Sequence, residues 1–197
     1  MRAQGQTDIP LDDTGVHQAH LLAHTLRKSA VTRVISSDLS RAANTAQILA
    51  EALDVPVSLD ERLRERSFGD YEGMLFSDFT VQLTQQRRIE GVGMYDVRPP
   101  NGESLRDAWH RIEPFANELF NTREPAMIVA HGASTALLLA HLLRGTLPTA
   151  RGFRFGNTSL TELAMHQEGN FQLMRYNDIS HLSEESTFSG TIDGATR

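Results

Sequence analysis

The sequence contains no cysteine. That absence excludes disulfides, thiolate nucleophiles and zinc–thiolate sites together. Lysine is nearly missing as well: Lys28 is the only one, and arginine carries almost all of the positive charge. Arginine suits bidentate phosphate binding, because its planar fork presents paired donors that an ammonium lacks. The net charge is −6, so no general basic surface exists to hold nucleic acid or an anionic membrane. Any anion site must be local. No apolar run reaches the roughly 18 residues of a membrane span. The opening MRAQGQTDIP has no apolar stretch of the kind a signal peptide needs. A cytoplasmic protein with no nucleic-acid or membrane partner is the expectation.

What is present is enough for one sizeable core: 197 residues, 40% of them hydrophobic. Residues 1–182 read as one domain, and the small, polar residues 183–197 as a flexible tail. Helical spacing of Val16, Ala19, Leu22, Ala23 and Leu26 predicts a helix over 15–28. VTRVIS (31–36) reads as a short buried strand, and 39–53 as a helix stopped before Pro56. Residues 68–100 mix Gly, Pro and aromatics and suggest a helical insertion with loops. Asn101 to Asn121 reads as a helix opened by N-G-E-S. AMIVA (126–130) is a short apolar run, followed by His131-Gly132 and an apolar helix to about Leu143. SLTELAM and NFQLMRY suggest two late strands joined as a hairpin through H-Q-E-G-N. Strands alternating with helices imply an α/β layered fold with a largely parallel sheet, whose ligands bind beyond the carboxyl ends of its strands.

Three clusters carry chemistry. In SSDLSRAANTAQ (36–47), Arg41 falls at a helix start after a strand end. There, backbone N–H groups and an arginine fork together would make a phosphate site; the alternative is a solvated surface arginine. In LRERSFGDYEG (63–73), Glu65 lies between Arg64 and Arg66. A partly desolvated carboxyl there would serve as a general acid; the alternative is a salt-bridged loop residue. In AMIVAHGAS (126–134), His131 ends a buried strand, and Gly132 allows close backbone approach; the alternative is a histidine bonded within a turn. His17, His20 and His24 share one helix, a pattern that is more often a polar flank than a metal site. No Walker loop, dinucleotide fingerprint or G-x-S-x-G occurs, and no cofactor or metal is expected.

Taken in order, QGQTDIPLDDTGVHQA, SSDLSRAANTAQ, LDERLRERSFGDYEG, NGESLRD, VAHGAS and GNTSL resemble the histidine phosphatase superfamily, which includes the phosphoglycerate mutases. The resemblance runs from residue 2 to about 182. It implies a three-layer α/β/α sandwich with a phosphate pocket at the strand ends. Residue by residue, Arg41 looks like a phosphate-clamping arginine, Glu65 like the proton donor and His131 like the second pocket histidine. Gln4 and Thr7 match the segment closing one side of the pocket, and Asn157 the stretch approaching it from below.

One part of the pattern is absent. The family opens with a strand ending in R-H-G-[EQ]-T, whose histidine is the nucleophile and whose arginine is the first clamp. Arg2, Gln4 and Gly5 match the segment just after it. The expectation is therefore a first strand missing from the chain through a late start codon, with about 15–20 upstream residues supplying it. No other histidine here matches the nucleophile, so the chain as given is expected to be inactive. The rival reading is a non-catalytic relative that binds a phosphorylated ligand or a partner. For the intact form, the resemblance implies phosphomonoester hydrolysis through phosphohistidine. The short stretch from Gly73 to Asn101 argues against the alternative, a phosphoglycerate mutase, whose longer insertion shields the intermediate from water. The expected partner is a small phosphorylated metabolite; a homodimer stays open.

Overall fold

In the computed structural model, residues 2–166 and 169–182 are described. The tail expected at 183–197 lies outside them. The chain runs α1 (Asp13–Leu26), β1 (Arg33–Ser36), α2 (Ser40–Leu53), β2 (Val57–Leu59), α3 (Phe76–Glu90), α4 (Leu105–Phe120), β3 (Ala126–Val129), α5 (Gly132–Leu142), α6 (Leu147–Ala150), β4 (Leu160–Met165) and β5 (Phe171–Asp178). Strands β2, β1 and β3 lie side by side in that order and are all parallel, with Ser36 opposite both Leu59 and Val129. Strands β4 and β5 form an antiparallel hairpin.

Alternation along the short strands sets the layers. Val34, Met127 and Val129 point to one face, where they meet Ala46, Leu49 and Ala50 of α2 and Leu22 and Leu26 of α1. Ile35 and Ile128 point to the other, against α4 and α5 through Ile112, Phe115 and Leu137. Helices thus cover both faces of a parallel sheet, the α/β sandwich that the sequence suggests.

Helix ends follow local chemistry more closely than the apolar pattern did. Helix α1 starts two residues earlier than expected, because Asp12 accepts from Gly15 N at 2.8 Å and caps it. Helix α4 starts four residues later than Asn101. Ser104 and Asp107 cap it reciprocally, while Asn101 takes a left-handed φ of 58° in the turn before. Helix α2 closes on Asp54, left-handed at φ 55°, whose N–H returns to Ala50 O.

Among the described residues, β3 pairs on its β1 side alone and β4 on its β5 side alone. Yet both flank the same two apolar layers. Leu160 of β4 packs against the same buried cluster as Met127 and Val129 of β3 on one face, and Leu163 and Phe171 share the cluster of Ile128 on the other. All four β3 residues are only half-buried, whereas Val34 of β1 is fully enclosed.

Candidate active site

The carboxyl ends of β1 and β3 bring His131 and Glu65 together at the start of α5, whereas Gln4 and Asn157 stay exposed outside that turn. Strand β3 ends into His131, and α5 begins at once with Gly132. His131 Nε2 and Ser37 Oγ, just past β1, share a hydrogen bond of 2.8 Å. The His131 N–H donates to Ser134 Oγ at 3.0 Å, which sets the first turn of α5. Glu65 reaches the same turn. Its carboxylate accepts from Ala133 N at 3.1 Å and Ser134 N at 3.3 Å, as well as from its neighbour Arg66 N at 2.8 Å. Glu65 is therefore half-buried against a helix N-terminus, where the dipole favours an anion; the salt-bridged surface loop is not what forms.

Arg41 lies in the first turn of α2, and its guanidinium is turned back onto the N-terminal segment. Nη2 donates to Gly5 O at 2.7 Å and Nη1 to Thr7 O at 3.0 Å. Burial lowers its pKa, and the charges of Glu65, Asp8 and Glu72 work against that. The backbone at the start of α2 does not stand open for an anion as the sequence suggested: Asp8 Oδ1 already accepts from Ser40 N at 2.7 Å. The expected phosphate groups on this side are thus the arginine fork, not the helix end.

Thr7 contributes its carbonyl to Arg41, while its N–H and hydroxyl both donate to Glu72. Gln4 is exposed, with its carbonyl accepting from Thr7 N at 3.2 Å. Asn157 is exposed in the turn before β4. Asn177 Oδ1 steadies that turn by accepting from Gly156 N at 2.8 Å. His17, His20 and His24 are all exposed on α1, and no group of His, Asp and Glu among the described residues could hold a metal ion.

Sequence reasoning missed the groups that hold the acid loop. Arg111 of α4 donates to the carbonyls of Arg62 (2.6 Å), Arg64 (2.9 Å) and Glu65 (3.2 Å), and pairs with Glu103. Glu103 in turn accepts from Ser67 N at 2.9 Å. Arg64 forks onto Asp38 beside the β1 end, and that hydrogen bonding holds the Asp38 carboxyl below its ordinary range. Two glycines let the acid loop cross the turn before α4 at contact distance. A Cβ on Gly69 would run into Pro100 O and lie 2.6 Å from Gly102 N; one on Gly102 would lie 2.9 Å from Ser67 O. Most of these links have no local sequence signal, because they join residues 26 or more positions apart or depend on tight backbone contact; Arg111 and Glu103, eight apart, are the exception.

Burial, then the charges of Arg41 and Arg111, drive His131 down to about 3, with Asp38 opposing. Because the folded value lies below the ordinary 6.5, the imidazole is neutral at neutral pH. Its ring signals, followed by NMR, should therefore stay flat from about pH 8 to pH 5. Inorganic phosphate should shift the midpoint upward, since a bound anion offsets both arginines. A midpoint near 6.5 in the free protein would show that His131 is not enclosed as described.

Comparison with known proteins shows the family and the fold. The model of the histidine phosphatase superfamily (branch 1) matches residues 1–179. The chain is 37% identical over 169 residues to "Probable phosphoglycerate mutase GpmB" of Serratia proteamaculans (strain 568), covering 85% of this chain and 78% of that one. A mycobacterial glucosyl-3-phosphoglycerate phosphatase solved with inorganic phosphate superposes with a TM-score of 0.78 at 31% identity, covering 92% of this chain and 94% of that one. The alpha-ribazole phosphatase of Shigella flexneri shares the fold, with a TM-score of 0.80 at 24% identity over 90% of this chain and 89% of that one. An imidazole past a strand end and a loop carboxylate on the amides of the next helix are thus found within a chain matched almost end to end, and the chain belongs to the histidine phosphatase superfamily.

Proposed function

We propose that this chain carries the clamp and acid of a phosphomonoester hydrolase that works through a phosphohistidine intermediate. One observation carries the reading. Arg41, Glu65 and His131 meet at one end of the parallel sheet, close enough that the Arg41 charge acts on His131 and the Glu65 charge on Arg41. Such a cluster of half-buried cation, neutral imidazole and carboxylate suits phosphoryl transfer, where catalysis is mostly positioning and charge stabilisation.

In this reading a histidine nitrogen attacks phosphorus in line with the leaving oxygen. The Arg41 fork and His131 hold the equatorial oxygens. Glu65 protonates the leaving alkoxide, then takes a proton from the water that cleaves phosphohistidine. Glu65 Oε2, which accepts from Ala133 N, keeps a further lone pair for that exchange.

The attacking histidine belongs to the R-H-G segment, which the given residues do not include. The interval between β3 and β4 favours its place: it is bounded by the same apolar layers on both faces and by an unpaired strand on each side. A parallel strand there would end beside His131. Without it the chain is inactive in this reading, and it binds its small phosphorylated ligand without turning it over.

Hydrolysis is favoured by the short insertion that α3 forms and by the mycobacterial phosphatase. Mutase activity is the second reading, favoured by the name of the Serratia relative. The two separate on product analysis of an intact form given 3-phosphoglycerate. Release of inorganic phosphate supports the hydrolase; interconversion of phosphoglycerates with little release overturns it. Glu65→Gln provides the mechanistic check. It should slow alkyl phosphates by about 10²-fold or more, and aryl phosphates, whose leaving group needs little protonation, far less. Equal loss on both would leave Glu65 a role in charge or structure only.

A further inference from the structure

The Glu72 carboxylate gathers four donors from two separated segments. Gln6 N donates to Oε1 at 2.8 Å, Phe68 N to Oε1 at 3.0 Å and Thr7 N to Oε2 at 2.6 Å; the Thr7 hydroxyl also donates to Oε2. Residues 5–7 therefore present two faces. Their amides turn toward Glu72, and the carbonyls of Gly5 and Thr7 turn toward the two Nη atoms of Arg41. Gly5 makes this geometry accessible. It takes φ 54°, and a Cβ there would collide with Glu72 Oε1. Gln6 Nε2 adds a bond to Glu65 O at 3.0 Å, so the same short segment also touches the acid loop.

From this we infer that Glu72 is a positioning residue, which presets the Arg41 fork by holding residues 5–7 with their carbonyls facing it. A neutral amide cannot take its place. Gln offers one acceptor oxygen, and its NH₂ would face the Thr7 N–H, donor against donor. The segment would then be free to rotate its peptides, and Arg41 would lose its two fixed acceptors. The link to phosphate rests on the hydrolase reading above; the link from Glu72 to Arg41 does not.

The test uses the whole chain, free and with inorganic phosphate. In the wild type, NMR of the Arg41 guanidinium should show slowed Nη rotation, because both Nη groups are bonded. In Glu72→Gln that slowing should vanish while the amide spectrum of α4 and α5 is retained. Phosphate should bind about tenfold more weakly, the equivalent of one net hydrogen bond. In an Arg41→Ala background, Glu72→Gln should weaken phosphate binding no further. Gly5→Ala, which pushes the carboxylate from the other side, should reproduce the loss of slowed rotation. Unchanged Arg41 signals in Glu72→Gln would overturn the inference, as would an additive loss of binding in the double variant. A wild type that fails to bind phosphate, but whose Arg41 signals respond to Glu72→Gln, would uphold the positioning and overturn the hydrolase reading instead.

Discussion

A strand ending in R-H-G, joined so that it lies parallel to β3 on its open side, should raise phosphomonoester turnover by at least about 10⁴-fold over the given chain. The reason is chemical: a clamp and an acid stabilise a transfer only when a nucleophile begins it. Positioned donors alone leave a small residual rate, and single losses within a catalytic unit are grossly non-additive. The gain should come with two physical signs. An acid-labile phosphohistidine should accumulate under quenched turnover, visible by ³¹P NMR. The extended protein should also bind less hydrophobic dye than the given chain, because Met127, Ile128 and Val129, now half-buried, would gain a neighbour. The control is the same strand with its histidine replaced by alanine, which should restore the low dye binding but not the turnover. Turnover that survives that replacement would overturn the assigned nucleophile. A well-packed extended protein with no turnover would favour the non-catalytic relative.

Arg41→Ala, made in that extended form, should lose about 2–4 kcal/mol of transition-state stabilisation, or roughly 30- to 1000-fold in kcat/KM. Arg41 is half-buried and faces the charge of Glu65, so its own charge is felt over short, poorly screened distances. Truncation would also strand the carbonyls of Gly5 and Thr7, which now accept from it. Arg41→Lys should not restore the rate, because one ammonium cannot bond two carbonyls and still hold a phosphoryl group in a plane. Steady-state kinetics with an aryl phosphate, alongside phosphate inhibition, measure both. Near-normal turnover in Arg41→Ala would remove Arg41 from the site.

The layers were legible in the sequence because they rest on local periodicity. Val34, Ile35, Met127 and Ile128 alternate between faces, and the helices between them carry apolar stripes at helical spacing. The family resemblance pointed to Arg41, Glu65 and His131; Glu65 lies on the turn that follows His131, and Arg41 is turned onto residues 5–7. What they touch was not legible. Glu65 as a partner of the α5 amides, Asp8 on Ser40, and Arg111 reaching three carbonyls of the acid loop all depend on tertiary placement. Glu72 drew no notice in the sequence, because three of its four donors belong to Gln6 and Thr7, 65 and 66 positions away. The start of α4 was misplaced for a smaller reason. N-G-E-S contains two capping candidates, Asn101 and Ser104, and the one with a reciprocal partner three residues on is Ser104.

The crossing of Gly69 and Gly102 has a consequence for how this protein can diverge. After Glu72 to Leu75, which stay bonded to residues 2–7, the stretch that includes α3 leaves the acid loop and re-enters directly beneath it. The crossing is pinned by Asp70 N on Pro100 O at 2.9 Å and Glu103 N on Ser67 O at 3.0 Å, with no room for a side chain at either glycine. The excursion therefore behaves as an exchangeable cassette on a closed buckle. Beyond the Glu72 anchor, which ties it to residues 5–7, its length and surface can drift with little transmitted to Glu65, so new surfaces can be tried out while the crossing itself is inherited.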